Sequence, residues 1–142
     1  MKALSSEPES FPVEEHIVPL VFELKRLGVF TPCWSCEGHN DNVGKLRRAP
    51  SVWFYCDSVV QVRLLAQAIE QLGFRKELST PWRVGISVAD SDNPDTLYQL
   101  EPAIQDLNET TLHQLRADVR IIAHHLNHFV LDAASLMAKQ TV

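Results

Sequence analysis

The sequence predicts an α+β fold in which a small, mainly antiparallel sheet is covered by helices and followed by a long C-terminal helix. Segments with helical spacing alternate with pairs of strand-like segments, in the order helix, strand, strand, helix, strand, strand, helix. Two of the connections between strands are too short for the crossover that parallel strands need, which favours antiparallel pairing.

The chain has the size and composition of one soluble domain. Its 142 residues contain no internal repeat and no linker that would divide them, and 45% of them are hydrophobic. Residues 1–10 are polar and are expected to form a loose tail. No apolar run approaches the roughly 20 residues that cross a bilayer, and the first residues lack the pattern of a secretory signal. We therefore expect a cytoplasmic protein with no membrane partner.

The first helix is predicted over residues 19–27. Apolar side chains recur there at steps of three and four, and Gly28 follows at the position of a left-handed C-cap. The same spacing begins near Pro12, but Pro19 interrupts it because a proline inside a helix removes a hydrogen bond. Either the helix kinks at Pro19, or it starts there after a separate turn.

The sheet is predicted from segments of strand length. Ser51 to Cys56 is rich in β-branched and aromatic side chains, and apolar and polar residues alternate over residues 82–88. Residues 96–100 are a candidate for one more short strand at the end of the sheet region. The four predicted strands lie near residues 29–36, 51–56, 74–78 and 82–88.

The second helix is predicted over residues 58–72. Its apolar positions share one face, Asp57 or Ser58 provides the N-cap, and Gly73 ends it. The polar segment from Gly38 to Pro50 is expected to be a loop.

A long helix is predicted over residues 108–139, with Asn108 as its N-cap. Its apolar side chains follow a heptad pattern, and further apolar residues beside this seam widen the stripe. Two compatible interpretations stay open: a helix of the core, and a helix that joins two copies in a homodimer. The heptad positions are Leu112, Leu115, Val119, Ile122, Leu126, Phe129, Ala133 and Leu136.

The candidate functional side chains lie within residues 31–40, which contain two thiols, a carboxylate and an imidazole. Cys36 and His39 are near enough in sequence to pair as nucleophile and base, because a neighbouring imidazole can activate a thiol. Glu37 is the residue expected to orient the imidazole. These three residues are the candidate catalytic group.

The same stretch also has the pattern of a metal site. Cys33, Cys36 and His39 follow the spacing C-x2-C-x2-H, and Cys56 ends the next predicted strand. Four such ligands would satisfy tetrahedral zinc, so zinc is a candidate cofactor, and the sequence does not identify a cofactor beyond that. The alternative is structural, because free cysteines often serve as small buried hydrophobes.

The motif resembles one shared by a group of small bacterial and phage proteins. In that group Ser-Cys-Glu/Gln-Gly-His follows a short strand, and a strand of the type Pro-x-Val/Ile-x-Phe comes next. In this chain the match covers Ser35 to His39 and Pro50 to Tyr55. The resemblance implies that residues 36–39 form a site, and it implies no substrate.

Charge and cysteine content narrow the function classes. The net charge of −5 disfavours a broad nucleic-acid surface, and the cluster Lys45, Arg47 and Arg48 is too short to change this. Three cysteines, an odd number, argue against a disulfide framework. Two hypotheses follow: a small-ligand or metal site at the Cys36–His39 turn, or a non-enzymatic interaction protein that homodimerises through its last helix, with the cysteines structural.

Overall fold

The structure, a computed structural model, describes residues 13–87, 96–104 and 110–140, with the side chains of the last helix described as far as Leu126. The predicted tail and the predicted cap Asn108 lie outside these ranges. The chain begins with a 3-10 turn, Glu15–Ile17. The elements that follow are α1 (Val18–Arg26), β1 (Thr31–Cys36), β2 (His39–Asn40), β3 (Leu46–Arg48), β4 (Ser51–Tyr55), α2 (Val59–Phe74), β5 (Trp82–Ser87), β6 (Leu97–Pro102) and α3 (Leu112–Gln140).

Four strands form one antiparallel sheet in the order β1-β4-β6-β5. The short strands β2 and β3 form a separate antiparallel ladder, inside the segment that was expected to be a loop. The α+β class, the antiparallel sheet and the long C-terminal helix are confirmed.

The predicted strand over residues 74–78 is wrong. Helix α2 continues through Gly73 to Phe74, and Lys76 then takes a left-handed backbone conformation, with φ of 58°. The N–H groups of Lys76 and Glu77 donate to the carbonyl oxygens of Gly73 and Leu72. This is the pairing of a Schellman motif, which usually has glycine where Lys76 stands. The backbone of this segment therefore closes the helix, and β6 completes the sheet.

The N-terminal alternatives are resolved in favour of a separate turn. Helix α1 begins at Val18 with Pro19 in its first turn, where the missing N–H of proline costs no hydrogen bond. Gly28 has a φ of 80°, as expected for a left-handed residue after the helix. Ser58 caps α2 by accepting a hydrogen bond from the N–H of Gln61.

The core lies where the three helices meet the sheet. Val52 and Phe54 of β4 are fully buried there, and so is Leu100 of β6. The heptad side chains Leu115, Val119, Ile122 and Leu126 are buried within the same chain. Over residues 112–126 the seam is therefore part of the core and not open to a second copy. The homodimer hypothesis now depends on the later heptad positions, Phe129, Ala133 and Leu136. The side chains of these residues lie outside the described part of the structure.

A buried carboxylate joins α3 to the segment before β5. Asp118 is only 2% exposed and accepts three hydrogen bonds. The donors are the backbone N–H of Ser79 at 2.9 Å, the hydroxyl of Ser79 at 2.7 Å and the indole N–H of Trp82 at 3.1 Å.

Among the helices of the described ranges, none is long and apolar enough to span a membrane.

Candidate functional site

The Cys36–His39 turn leads from the end of β1 into the β2–β3 hairpin. Gly38 has a φ of 86°, and its N–H donates to the Cys36 sulfur at 3.4 Å. A Cβ at Gly38 would lie 2.5 Å from Leu112 Cδ1 and 2.9 Å from Pro50 Cδ. Glycine is therefore required both for the backbone conformation and for the close approach of α3.

Glu37 and Arg116 fix this turn to its surroundings. Arg116, on α3, donates to the carbonyl oxygens of Glu37 at 3.2 Å and of Gly38 at 2.9 Å, and its guanidinium lies 3.5 Å from Glu37 Oε1. Glu37 Oε2 accepts the backbone N–H of His16 at 2.9 Å. The Glu37 carboxylate forms no ion pair with His39 in the described part of the chain, so the predicted role of Glu37 in orienting the imidazole does not hold.

Glu14 takes that place, although the sequence analysis did not single it out. Its Oε2 lies 3.2 Å from His39 Nε2, and its Oε1 accepts the backbone N–H of Glu37 at 3.2 Å. One potential ligand atom from each of Glu14, Cys36 and His39 lies within 4.8 Å of the other two. These three residues, here called the Glu-Cys-His cluster, bring together the carboxylate, thiol and imidazole of a possible metal centre.

Cys56 is not part of this cluster. The antiparallel register pairs Cys36 with Ser51 and Thr31 with Tyr55, so Cys56 follows the far end of the strand pair. Five residues of strand separate the two ends by about 16 Å. The Cys56 thiol instead donates to the carbonyl oxygen of Ser58 at 3.4 Å.

Cys33 is also absent from the cluster. It lies at the irregularity in β1 between Pro32 and Trp34, and within the described residues no metal-ligand cluster includes it. All three cysteines are thiols rather than disulfides. The predicted set of four metal ligands is therefore not assembled; Cys36 and His39 come together, and Glu14 joins them.

A cleft of about 410 Å³ opens beside the Glu-Cys-His cluster. The β2–β3 ladder contributes one wall, because its register pairs His39 with Arg48. The guanidinium of Arg48 lies 5.6 Å from the centre of the Trp34 ring and is near enough to the Cys36 sulfur to favour its thiolate form. The cleft is lined by Glu14, Trp34, Ser35, Cys36, His39, Arg47 and Arg48.

Burial raises the pKa of the Cys36 thiol above its ordinary value of 9.0. The neighbouring Glu14 carboxylate acts in the same direction, because it repels a thiolate. The N–H of Gly38 and the guanidinium of Arg48 act in the opposite direction without overcoming burial. Near neutral pH, Cys36 without a metal is therefore a protonated thiol.

We expect Cys36 of the metal-free protein to be alkylated slowly at neutral pH, with a rate that is still rising above pH 9.0. The reason is that only the thiolate reacts, and its fraction follows the raised pKa. Iodoacetamide labelling at a series of pH values, followed by peptide mass spectrometry, measures each cysteine separately. Cys33, which is less buried, is the internal control. Faster labelling of Cys36 than of Cys33 at neutral pH would contradict this and would favour a nucleophile.

The chain matches no protein-family model, no curated protein and no solved structure. The motif resemblance over Ser35 to His39 therefore stays a prediction.

Proposed function

We propose that this chain binds one divalent transition-metal ion, with zinc the best match, through Glu14, Cys36 and His39. The observation that carries the proposal is the convergence of three potential ligand atoms, all within 4.8 Å of one another. Carboxylate, thiolate and imidazole are the three ligand types of protein zinc sites, whereas calcium and magnesium prefer oxygen alone. Three protein ligands leave a fourth position open, as in catalytic zinc sites.

The spacing of the cluster is close to what zinc requires. Zinc bonds of about 2.0–2.3 Å hold tetrahedral ligand atoms about 3.5 Å apart. Glu14 Oε2 and His39 Nε2 are 3.2 Å apart, which already meets this condition. Since no two ligand atoms of the cluster are more than 4.8 Å apart, shifts of about 1 Å bring all three to zinc-binding distances.

The charges around Cys36 favour a metal ligand over an activated nucleophile. An activated thiol needs a lowered pKa, but burial and Glu14 both raise the pKa of Cys36. A bound divalent cation reverses this balance, because it attracts both the carboxylate and the thiolate and displaces the thiol proton. The pairing of Glu14 with Cys36, unfavourable for a free thiolate, is therefore favourable around a metal.

The surrounding contacts hold two of the ligands in place. Arg116 binds the two carbonyl oxygens between Cys36 and His39, and Glu37 anchors the turn to the segment that carries Glu14. Contacts of this kind orient metal ligands before the ion arrives.

Protein purified without added metal, chelator or histidine tag is expected to contain close to one zinc ion per chain by elemental mass spectrometry. Cys36→Ser, His39→Ala and Glu14→Gln should each weaken zinc binding by at least about tenfold, because each removes a ligand. Cys33→Ser and His113→Ala are the matched controls, since they remove the same residue types outside the cluster. Both controls should keep the zinc content of the parent chain.

Cobalt(II) provides an independent readout of the sulfur ligand. The cobalt-loaded protein should show a thiolate-to-cobalt charge-transfer band in the near ultraviolet, and Cys36→Ser should abolish it while Cys33→Ser should not. Folded parent protein that binds neither zinc nor cobalt after dialysis against the ion would overturn the proposal. Equal zinc content in all the variants would place the ion elsewhere.

A further inference from the structure

We propose that the cleft beside the Glu-Cys-His cluster binds the oxyanion group, phosphate or carboxylate, of a small molecule. One oxygen of the ligand occupies the open position of the metal, and the others accept hydrogen bonds from Arg47 and Arg48. This inference rests on the proposed metal site and names the ligand class of that site.

The charges that line the cleft call for an anion once the metal is bound. The carboxylate of Glu14 and the thiolate of Cys36 together balance the two positive charges of zinc. Arg47 and Arg48 then add two positive charges, and within the described residues no acidic side chain other than Glu14 lines the cleft. The chain as a whole carries a net charge of −5, so this positive cleft runs against the overall charge.

Arg48 is positioned to bind an oxyanion next to the metal. Its guanidinium lies 5.6 Å from the centre of the Trp34 ring and near the Cys36 sulfur, at the wall of the cleft. The β2–β3 register places Arg48 opposite the metal ligand His39. A guanidinium held in one plane can donate to two oxygens of one phosphate or carboxylate group. Arg47 supplies a second guanidinium to the same cleft.

Trp34 forms part of the cleft wall beside Arg48. Its indole nitrogen is buried and has no acceptor among the residues that the structure describes.

The size of the cleft indicates a small molecule. Its volume of about 410 Å³ lies in the range of small-ligand sites. A long polyanion such as nucleic acid would need a broad basic surface, which a chain with a net charge of −5 disfavours.

The test is calorimetric titration of the zinc-loaded chain with inorganic phosphate and, separately, with acetate, at constant ionic strength set with chloride. At least one oxyanion should bind, and Arg48→Gln and Arg47→Gln should each raise its dissociation constant by about tenfold or more, because a charge-assisted hydrogen bond is lost. Arg48→Lys keeps the charge without the two-oxygen geometry and should fall between. Arg63→Gln, an exposed arginine on α2, is the control and should bind as the parent does.

The outcomes separate this inference from the proposed metal site. Full zinc content in the parent and in both arginine variants, with weakened oxyanion binding in the variants alone, supports both proposals. Tighter binding of phosphate identifies a phosphate-bearing ligand, and tighter binding of acetate a carboxylate. Full zinc content with no oxyanion binding overturns the inference and leaves the metal site standing. Equal oxyanion affinity with and without zinc overturns the bridging role of the metal. Absence of zinc from the folded parent overturns both.

Discussion

Replacing Gly38 with alanine is expected to lower the free energy of unfolding by about 3 kcal/mol, because two costs add. The first is conformational: Gly38 has a φ of 86°, where a residue with a Cβ loses about 1–2 kcal/mol. The second is steric, because the new Cβ would lie 2.5 Å from Leu112 Cδ1 and 2.9 Å from Pro50 Cδ. Crowding of this kind costs about 1–3 kcal/mol. Urea unfolding followed by tryptophan fluorescence measures the sum.

Gly44→Ala is the matched control. Gly44 has a φ of 82°, almost the same as Gly38, but no atom lies within 4 Å of the position of its Cβ. Only the conformational cost should appear there, about 1–2 kcal/mol. Equal losses in the two variants would show that α3 does not pack closely against the Cys36–His39 turn. Since that turn carries two of the proposed ligands, Gly38→Ala should also reduce the zinc content, whereas Gly44→Ala should not.

Asp118→Ala is expected to cost about 2–3 kcal/mol, since it leaves the buried indole N–H of Trp82 without an acceptor and removes two partly buried hydrogen bonds from Ser79. The donors are the N–H and hydroxyl of Ser79 and the indole N–H of Trp82, which all lie at 3.1 Å or less from the carboxylate. Trp82 is itself a core side chain at the start of β5, so the loss reaches the sheet. Urea unfolding monitored by circular dichroism is the measurement.

Two further variants show how much of the lost unfolding free energy comes from the hydrogen bonds of Asp118. Asp118→Asn keeps the size of the side chain and one acceptor oxygen, so it should be destabilised less than Asp118→Ala. Asp57→Ala removes an exposed aspartate and should change the free energy of unfolding by no more than about 0.5 kcal/mol. A loss in Asp118→Ala as small as that of the control would mean that the buried carboxylate contributes little to stability.

Local sequence pattern predicted most of the elements, because periodicity and caps are local properties. The cap at Ser58, the left-handed Gly28 and the apolar face of α2 all appear in the structure. The exception is the end of α2, where Gly73 looked like the stop signal. Lys76 provides the left-handed residue instead, and nothing in the type of residue signals that conformation.

The site was only half predictable. Cys36 and His39 stand in one turn, so their proximity follows from the sequence itself. Glu14 reaches them from beyond α1, and Arg116 reaches the turn from α3; tertiary packing alone decides such contacts. Cys56 was misplaced because strand adjacency was inferred without the antiparallel register that puts it at the other end.

The place of β6 in the sheet has a consequence for how the chain is made. This strand comes last in sequence but lies between β4 and β5. Until β6 has been made, β4 and β5 have no common partner and keep open edges, which readily join other chains. The turn that holds Cys36 and His39 gains its contacts with Arg116 only after α3 has been made. We therefore expect nascent chains to be prone to aggregation until β6 and α3 have emerged.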